Sequence, residues 1–132
     1  MEEMDVFRRY IEVADAIWRS VEKWPALARD TVGRQLVRAA DSVGANLVEG
    51  DGRGSDRDAV RFFIIARASA REARYWLERA VSRGIVQEMD GLQFVSALTD
   101  ATKMLNHVIA YRRSAVAHVR ESATDYAYGD DD

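Results

Sequence analysis

Seven arginines between positions 57 and 83 are the residues best suited to chemistry, since only three acids oppose them and the stretch has a net charge of +4. They are Arg57, Arg61, Arg67, Arg71, Arg74, Arg79 and Arg83. Arginine presents a planar fork of N–H donors that binds phosphates and carboxylates and stacks on aromatic rings. At about 100° per residue, a helix places all seven within half of its circumference. The spacing predicts a basic surface for RNA backbone or for an acidic protein partner.

A plainer interpretation fits the same spacing. The arginines can form a solvated helix face that pairs with acids of neighbouring helices or subunits. Arg53 joins the candidate set because it lies just before a helix start signal at Ser55, where Arg53 and Arg57 could help a helix N-terminus to hold an anion. The glycines at positions 50, 52 and 54 are equally what a simple chain reversal requires. Both interpretations stay open at this point.

Motifs for enzymatic chemistry are missing from the sequence. The chain has no cysteine, which excludes disulfides, thiolate metal sites and a cysteine nucleophile. A di-iron site in a helical bundle needs Glu-x-x-His pairs, but Met104 and Ala115 stand three residues before His107 and His118. The glycine cluster lacks the Lys-Ser or Lys-Thr pair of a phosphate-binding loop. We therefore predict no catalytic residue, no metal, no cofactor and no enzymatic activity.

Composition indicates one cytoplasmic domain. The chain has 132 residues, of which 48% are hydrophobic and 31% charged, as is typical of a soluble globular protein. No signal peptide or membrane span is legible, so we expect no membrane contact. The net charge of −3 argues against a dedicated nucleic-acid binder, but five acids and no base lie in the last twelve residues. We expect a folded domain over residues 1–120 and an acidic, disordered tail over residues 121–132.

Hydrophobic periodicity predicts four helices that position the arginines. The first helix carries an apolar stripe that stops before Pro25, the only proline. Thr31 is a candidate N-cap for the second helix, which is predicted to run to about Gly50. The stripe of the first helix consists of Phe7, Tyr10, Ile11, Ala14, Ile17, Trp18 and Val21.

The third and fourth helices follow the glycine cluster. Ser55 and Asp58 predict a capping box at the start of the third helix, and Gly84 ends it. Its predicted core residues are Phe62, Ala66, Ser69, Ala73, Trp76, Leu77 and Ala80. The fourth helix is predicted from about Asp90 to about Arg120, with Phe94, Leu98, Ala101, Leu105, Val108 and Arg112 on one face. Short connections and missing strand patterns predict an all-α fold, an antiparallel up-down-up-down four-helix bundle.

The second predicted helix has two apolar rows. The main row consists of Val32, Leu36, Ala39, Ala40, Val43 and Leu47. Val37, Gly44 and Val48 form a second row beside it, and Asn46 and Glu49 belong to a polar strip. A helix in a lone bundle needs only one apolar face. The second row and the two polar residues therefore predict contacts with another subunit or a neighbouring helix.

The chain resembles the four-helix-bundle proteins related to the 23S rRNA intervening-sequence protein over residues 7–114. The matching residues are Trp24 and Pro25 in the first loop, then Gln35, Leu36, Arg38, Ala39, Ala40, Ser42, Asn46, Glu49, Gly50, Gly52 and Arg53, then Phe62, Phe63, Ala66, Ala68 and Ser69. A more distant resemblance connects the chain with accessory proteins of diversity-generating reverse transcriptases.

The resemblance implies a homopentameric ring around a central channel and an association of the coding region with rRNA intervening sequences. A cyclic ring uses two different patches on each subunit, which a helix with two apolar rows can supply. We expect a non-enzymatic ring protein that acts on RNA or a ribonucleoprotein through its arginines. A protein-interaction scaffold that binds acidic partners or its own tail is the alternative. An enzyme with a site at a subunit junction is a third interpretation.

Overall fold

The computed structural model describes residues 3–125, with side chains described for residues 3–118, and all secondary structure in this part of the chain is helical. Helix α1 spans Glu3–Val21, the short α2 spans Ala26–Ala28, and a π-helical turn at Arg29–Gly33 leads into α3 at Arg34–Asp51. Helices α4 and α5 span Asp56–Ser82 and Glu88–Asp125. None of the described helices combines the length and the apolar character that a membrane-spanning segment requires.

The four long helices form an antiparallel bundle, which confirms the predicted fold. α1 packs against α3 and α5, and α4 packs against the same two helices, so the four form a closed square. Arg112 of α5 bonds to Glu3 at the start of α1 and to Asp56 at the start of α4. α1 and α4 therefore begin at the end of the bundle towards which α5 runs, as an up-down-up-down order requires.

The core contains the complete main row predicted for the second helix, with Val32 in the π-helical turn and the other members in α3. The core face of α4 is rotated from its predicted position. Phe62 and Ser69 are only partly buried and do not belong to the core, so their assignment to the core of α4 is wrong. Trp76 is also partly buried, but it packs against the core as predicted. The buried residues of α4 are Ala59, Val60, Phe63, Ala66, Ala70, Ala73, Leu77 and Ala80. Phe63 turns inward because Gly50 leaves room for it: a Cβ on Gly50 would lie 2.8 Å from Phe63 Cε1.

The start of the second helical segment also differs from its prediction. Pro25, with φ −57° and ψ 154°, precedes α2, and its carbonyl accepts a hydrogen bond from the Arg29 N–H at 2.8 Å. Thr31 is therefore not an N-cap. It lies inside the π-helical turn, where its Oγ1 donates to the Leu27 carbonyl at 2.6 Å. Pro25 restarts the helix after the turn that follows α1, because its fixed φ and missing N–H suit a helix start.

The ends of α4 match their predicted signals, and α5 exceeds its predicted length. Ser55 Oγ accepts a hydrogen bond from the Asp58 N–H at 3.2 Å, and Gly84 adopts a φ of 75° after the last turn. α5 continues to Asp125, beyond the predicted end near Arg120. Residues 126–132 of the predicted acidic tail lie outside the described residues, and the division at position 120 stays a prediction.

Candidate nucleic-acid interface

Three arginines of α4 are held by partners within the bundle. Arg61 pairs with Asp58 at 3.2 Å, one turn away. Arg67 Nη1 donates to Asn106 Oδ1 of α5 at 2.9 Å, which connects two helices. Arg74 pairs with Glu78 at 3.2 Å. The Arg61 and Arg74 pairs are exposed and weak, so an incoming anion can replace their carboxylates at low cost.

The guanidinium groups of three others, Arg71, Arg79 and Arg83, make no hydrogen bond or ion pair with any residue of the described chain. Arg71 and Arg83 are exposed, and Arg79 is partly buried. Glu72 is the acid next to Arg71, but it accepts a hydrogen bond from Trp76 Nε1 at 3.1 Å. The acids along this helix are thus engaged elsewhere, and the three guanidinium groups are left to the solvent.

Tyr75 lies between two of these arginines, one helical turn from Arg71 and one from Arg79. Its side chain is 51% exposed, and its ring contacts the Trp76 ring edge-to-face, with centroids 4.9 Å apart and planes at 74°. We call Arg71, Tyr75 and Arg79 the arginine–tyrosine ridge. Tyr75 was not among the residues predicted from the sequence. Its spacing of four positions from each of two arginines is visible in the sequence and could have identified it.

The start of α4 is not arranged as a free anion site. Arg53 Nη2 bonds to Glu49 Oε2 at 2.8 Å, and its guanidinium carbon lies 4.4 Å from the centre of the Phe62 ring. Arg57 is also engaged in an interaction. Asp56 and Asp58 place two carboxylates in the first turn, where they already complement the helix dipole. A phosphate would have to compete with these carboxylates.

Arg112 stabilises the fold through its ion pairs. The sequence pattern predicted only that it lies on the inner face of the fourth helix. Its Nε and Nη2 donate to the two carboxylate oxygens of Glu3 at 2.7 and 2.8 Å, and Nη1 donates to Asp56 at 2.6 Å. The guanidinium also lies over the Phe63 ring. The Glu3 hydrogen bonds, with a smaller contribution from Asp56, raise the pKa of Arg112 above its ordinary value despite burial. This network ties α1, α4 and α5 together at one end of the bundle.

The second apolar row of α3 divides between the bundle and the solvent. Gly44 is buried against α1, since a Cβ there would lie 3.0 Å from Ile11 Cδ1 and 3.6 Å from Phe7 Cε1. Val37 is partly buried against the core, whereas Val48 is 58% exposed. Gly44 and Val37 thus contribute to packing within the bundle, and Val48 remains available to a partner.

Large apolar side chains are exposed on the same flank of the bundle, which we call the α1–α3 flank. They are Met4, Trp18 and Val48. A cleft of about 890 Å³ opens at the end of this flank, and Met4, Val48 and Tyr111 are among the residues that line it. Along the flank, burial raises the pKa of Asp41, and nearby Asp15 adds to the effect. The flank therefore combines exposed apolar surface with two carboxylates that repel each other.

The polar strip of α3 bonds mainly within its own helix. Asn46 Nδ2 donates to the Ser42 carbonyl at 2.9 Å and to Ser42 Oγ at 3.1 Å. Ser42 Oγ in turn shares a hydrogen bond of 3.0 Å with Ser69 Oγ of α4. Asn46 therefore reaches α4 only through Ser42, and the exposed Glu49 pairs with Arg53. Within the described residues, no three His, Cys, Asp or Glu side chains form a group that could hold a metal ion.

The fold and this surface define an antiparallel four-helix bundle with unpaired arginines along one helix. The profile of the family described as 23S rRNA-intervening sequence protein matches residues 2–107, and the chain belongs to this family. A solved structure from Bacteroides thetaiotaomicron VPI-5482, a protein with unknown function from the S23 ribosomal protein family, superposes with a TM-score of 0.71 at 24% identity. The match covers 79% of this chain and 97% of that one, and it shows the fold alone. No curated protein matches the chain significantly.

Proposed function

We propose that this protein is a non-enzymatic, self-assembling helical bundle that binds RNA through the arginines of α4. The observation that carries the proposal is that the guanidinium groups of Arg71, Arg79 and Arg83 have no partner among the described residues. Cationic side chains near phosphates release condensed counterions, which is the main source of sequence-independent affinity for nucleic acids. The family's rRNA association favours RNA over an acidic protein, and a protein that acts on rRNA would work in the cytoplasm.

Self-assembly is the second part of the proposal, in the form of a homopentameric ring. The α1–α3 flank exposes Met4, Trp18 and Val48, and burying such side chains against another subunit is favourable. A ring also repeats the α4 surface once in each subunit. Because several weak contacts on one RNA raise the overall affinity well above that of a single contact, even a few unpaired arginines per subunit would suffice.

The test is a titration of a fluorescent structured RNA with nuclease-treated protein at low and at near-physiological salt. The informative variant carries Arg71→Gln and Arg79→Gln. Its matched control carries Arg19→Gln and Arg38→Gln, because these exposed arginines of α1 and α3 also have no partner among the described residues. The two variants have the same net charge, so a difference between them reports position rather than charge.

We expect the wild-type protein and the control variant to bind saturably at near-physiological salt, and the Arg71/Arg79 variant to bind more weakly. On a single-stranded region the negative slope of log K against log salt should become shallower by roughly 0.7 for each phosphate that the variant no longer neutralises. Binding seen only at low salt, or an equal weakening in both variants, would contradict the proposal. Dissociation of the oligomer by the Arg71/Arg79 variant would make these arginines subunit contacts instead.

A further inference from the structure

We infer that the arginine–tyrosine ridge binds single-stranded RNA by stacking an unpaired base on Tyr75 while Arg71 and Arg79 bind the phosphates on either side. The inference depends on the proposed function, since it names the form of RNA that the α4 surface takes. It is carried by an exposed aromatic ring that lies between two arginines without partners among the described residues.

The dimensions of the ridge suit a short run of nucleotides. Arg71 and Arg79 are eight residues apart on a continuous helix, which corresponds to about 12 Å along its axis. A stacked strand advances by roughly 3.4 Å per nucleotide, so this distance covers three to four nucleotides. A base over Tyr75 therefore has phosphates on both sides within reach of the long arginine side chains.

The Tyr75 ring is held in place before any ligand binds. Its neighbour Trp76 contacts it edge-to-face, and Trp76 is itself fixed by the 3.1 Å hydrogen bond from its Nε1 to Glu72. An edge-to-face contact covers at most one face of the phenol ring. The other face remains for a base, and a ring that is already ordered loses little side-chain freedom on binding.

The exposed ring favours unpaired RNA over the other ligands of an arginine surface. Bases in an A-form duplex are stacked on one another, and side chains cannot read the deep, narrow major groove, so Tyr75 would gain little from a duplex. Proteins that bind single strands combine basic side chains with aromatic stacking platforms, and arginine adds cation–π contacts. An acidic peptide would use the guanidinium groups and leave the ring without a partner.

The test compares a 12-nucleotide single strand with a duplex of the same length at near-physiological salt. We expect Tyr75→Leu to weaken binding of the single strand about five- to a hundredfold and to leave duplex binding unchanged, whereas Tyr75→Phe, which keeps the ring, should bind like the wild-type protein. Leu92→Ala is the control for the loss of an exposed apolar side chain. Leu92 of α5 is 57% exposed and does not line the cleft of the α1–α3 flank, and its replacement should change neither affinity.

Three results would overturn the inference, and they separate it from the proposed function. If neither RNA binds at near-physiological salt, both proposals fail. If both RNAs bind and Tyr75→Leu weakens neither, or weakens both equally, the inference fails while RNA binding by the arginines stands. If Tyr75→Leu changes the mass of the assembly, as measured by light scattering, the ridge is a contact between subunits.

Discussion

At the level of single side chains, all arginines of this protein carry the same charge, but they differ in whether the guanidinium group has a partner in the bundle. Arg112 is surrounded by Glu3 and Asp56 at 2.6–2.8 Å, whereas Arg71 has no partner in the described chain. Both residues are arginines, but if the Arg112 side chain left its partners to bind a ligand, the carboxylates of Glu3 and Asp56 would be left without a counter-charge. Arginines of the second kind can bind RNA without breaking any contact of the fold.

Tyr10 makes the free energy of unfolding of the bundle depend on pH in the alkaline range. Burial raises the pKa of Tyr10 to about 12, although a hydrogen bond with Thr102 and the nearby Arg67 act in the opposite direction. In the unfolded chain the phenol ionises near its ordinary pKa of about 10. Above that pH the unfolded state loses the proton first, so this contribution to stability is complete below pH 10 and is lost as the pH rises towards 12.

Tyr10→Phe should therefore change the pH profile as well as the stability. At pH 7 the variant loses the 2.6 Å hydrogen bond to Thr102, which costs roughly 0.5–1.5 kcal/mol. Thr102 Oγ1 still donates to the Leu98 carbonyl, so no polar group is left without a partner. Urea unfolding should show that the difference in free energy of unfolding between the wild-type protein and Tyr10→Phe shrinks by about 1.4 kcal/mol per pH unit above pH 10. If the difference in free energy of unfolding between the two proteins stayed constant from pH 7 to pH 11, the pH dependence of stability would not come from Tyr10.

At the scale of helices, two glycines around the α3–α4 connection should respond oppositely to the same substitution. A Cβ on Gly50 would lie 2.8 Å from Phe63 Cε1 and 3.1 Å from the Ala59 carbonyl oxygen. Gly50→Ala should therefore push α3 and α4 apart and lower the free energy of unfolding by about 1–3 kcal/mol. A Cβ on Gly54 meets nothing within 4 Å, so Gly54→Ala should be neutral or slightly stabilising. Thermal unfolding would measure both, and equal effects would rule out the close approach at Gly50.

The helices themselves could be predicted from the sequence because their signals are local. Hydrophobic spacing, the Ser55 cap and Gly84 each act within about one turn. The inward face of α4 could not be predicted, since Phe62 and Phe63 are both apolar and only the space left by Gly50 on α3 decides between them. Thr31 failed as a cap for a similar reason. Pro25 supplies a stronger start signal, and the threonine falls within the turn that follows it.

The candidate site could be predicted from the sequence only as a set of arginines. Spacing places Arg67 and Arg71 on the same half of α4, but Arg67 bonds to Asn106, which is 39 residues away in the chain. Partners of this kind depend on the packing of the whole bundle. For this reason the sequence predicted where positive charge lies and could not predict which part of it is free.

At the scale of the whole molecule, neighbouring residues of α3 separate folding from assembly. Val48 is 58% exposed, so Val48→Asp introduces a charge in water and should leave a folded protein that no longer assembles. Leu47 is only 6% exposed, and Leu47→Asp should abolish cooperative unfolding because it buries a charge without a partner. Ser96→Asp, at an exposed position of α5, makes a matched charge control that should change neither property. Circular dichroism and the mass from light scattering would distinguish the three variants. A folded Val48→Asp protein with the wild-type mass would move the subunit contact away from the α1–α3 flank.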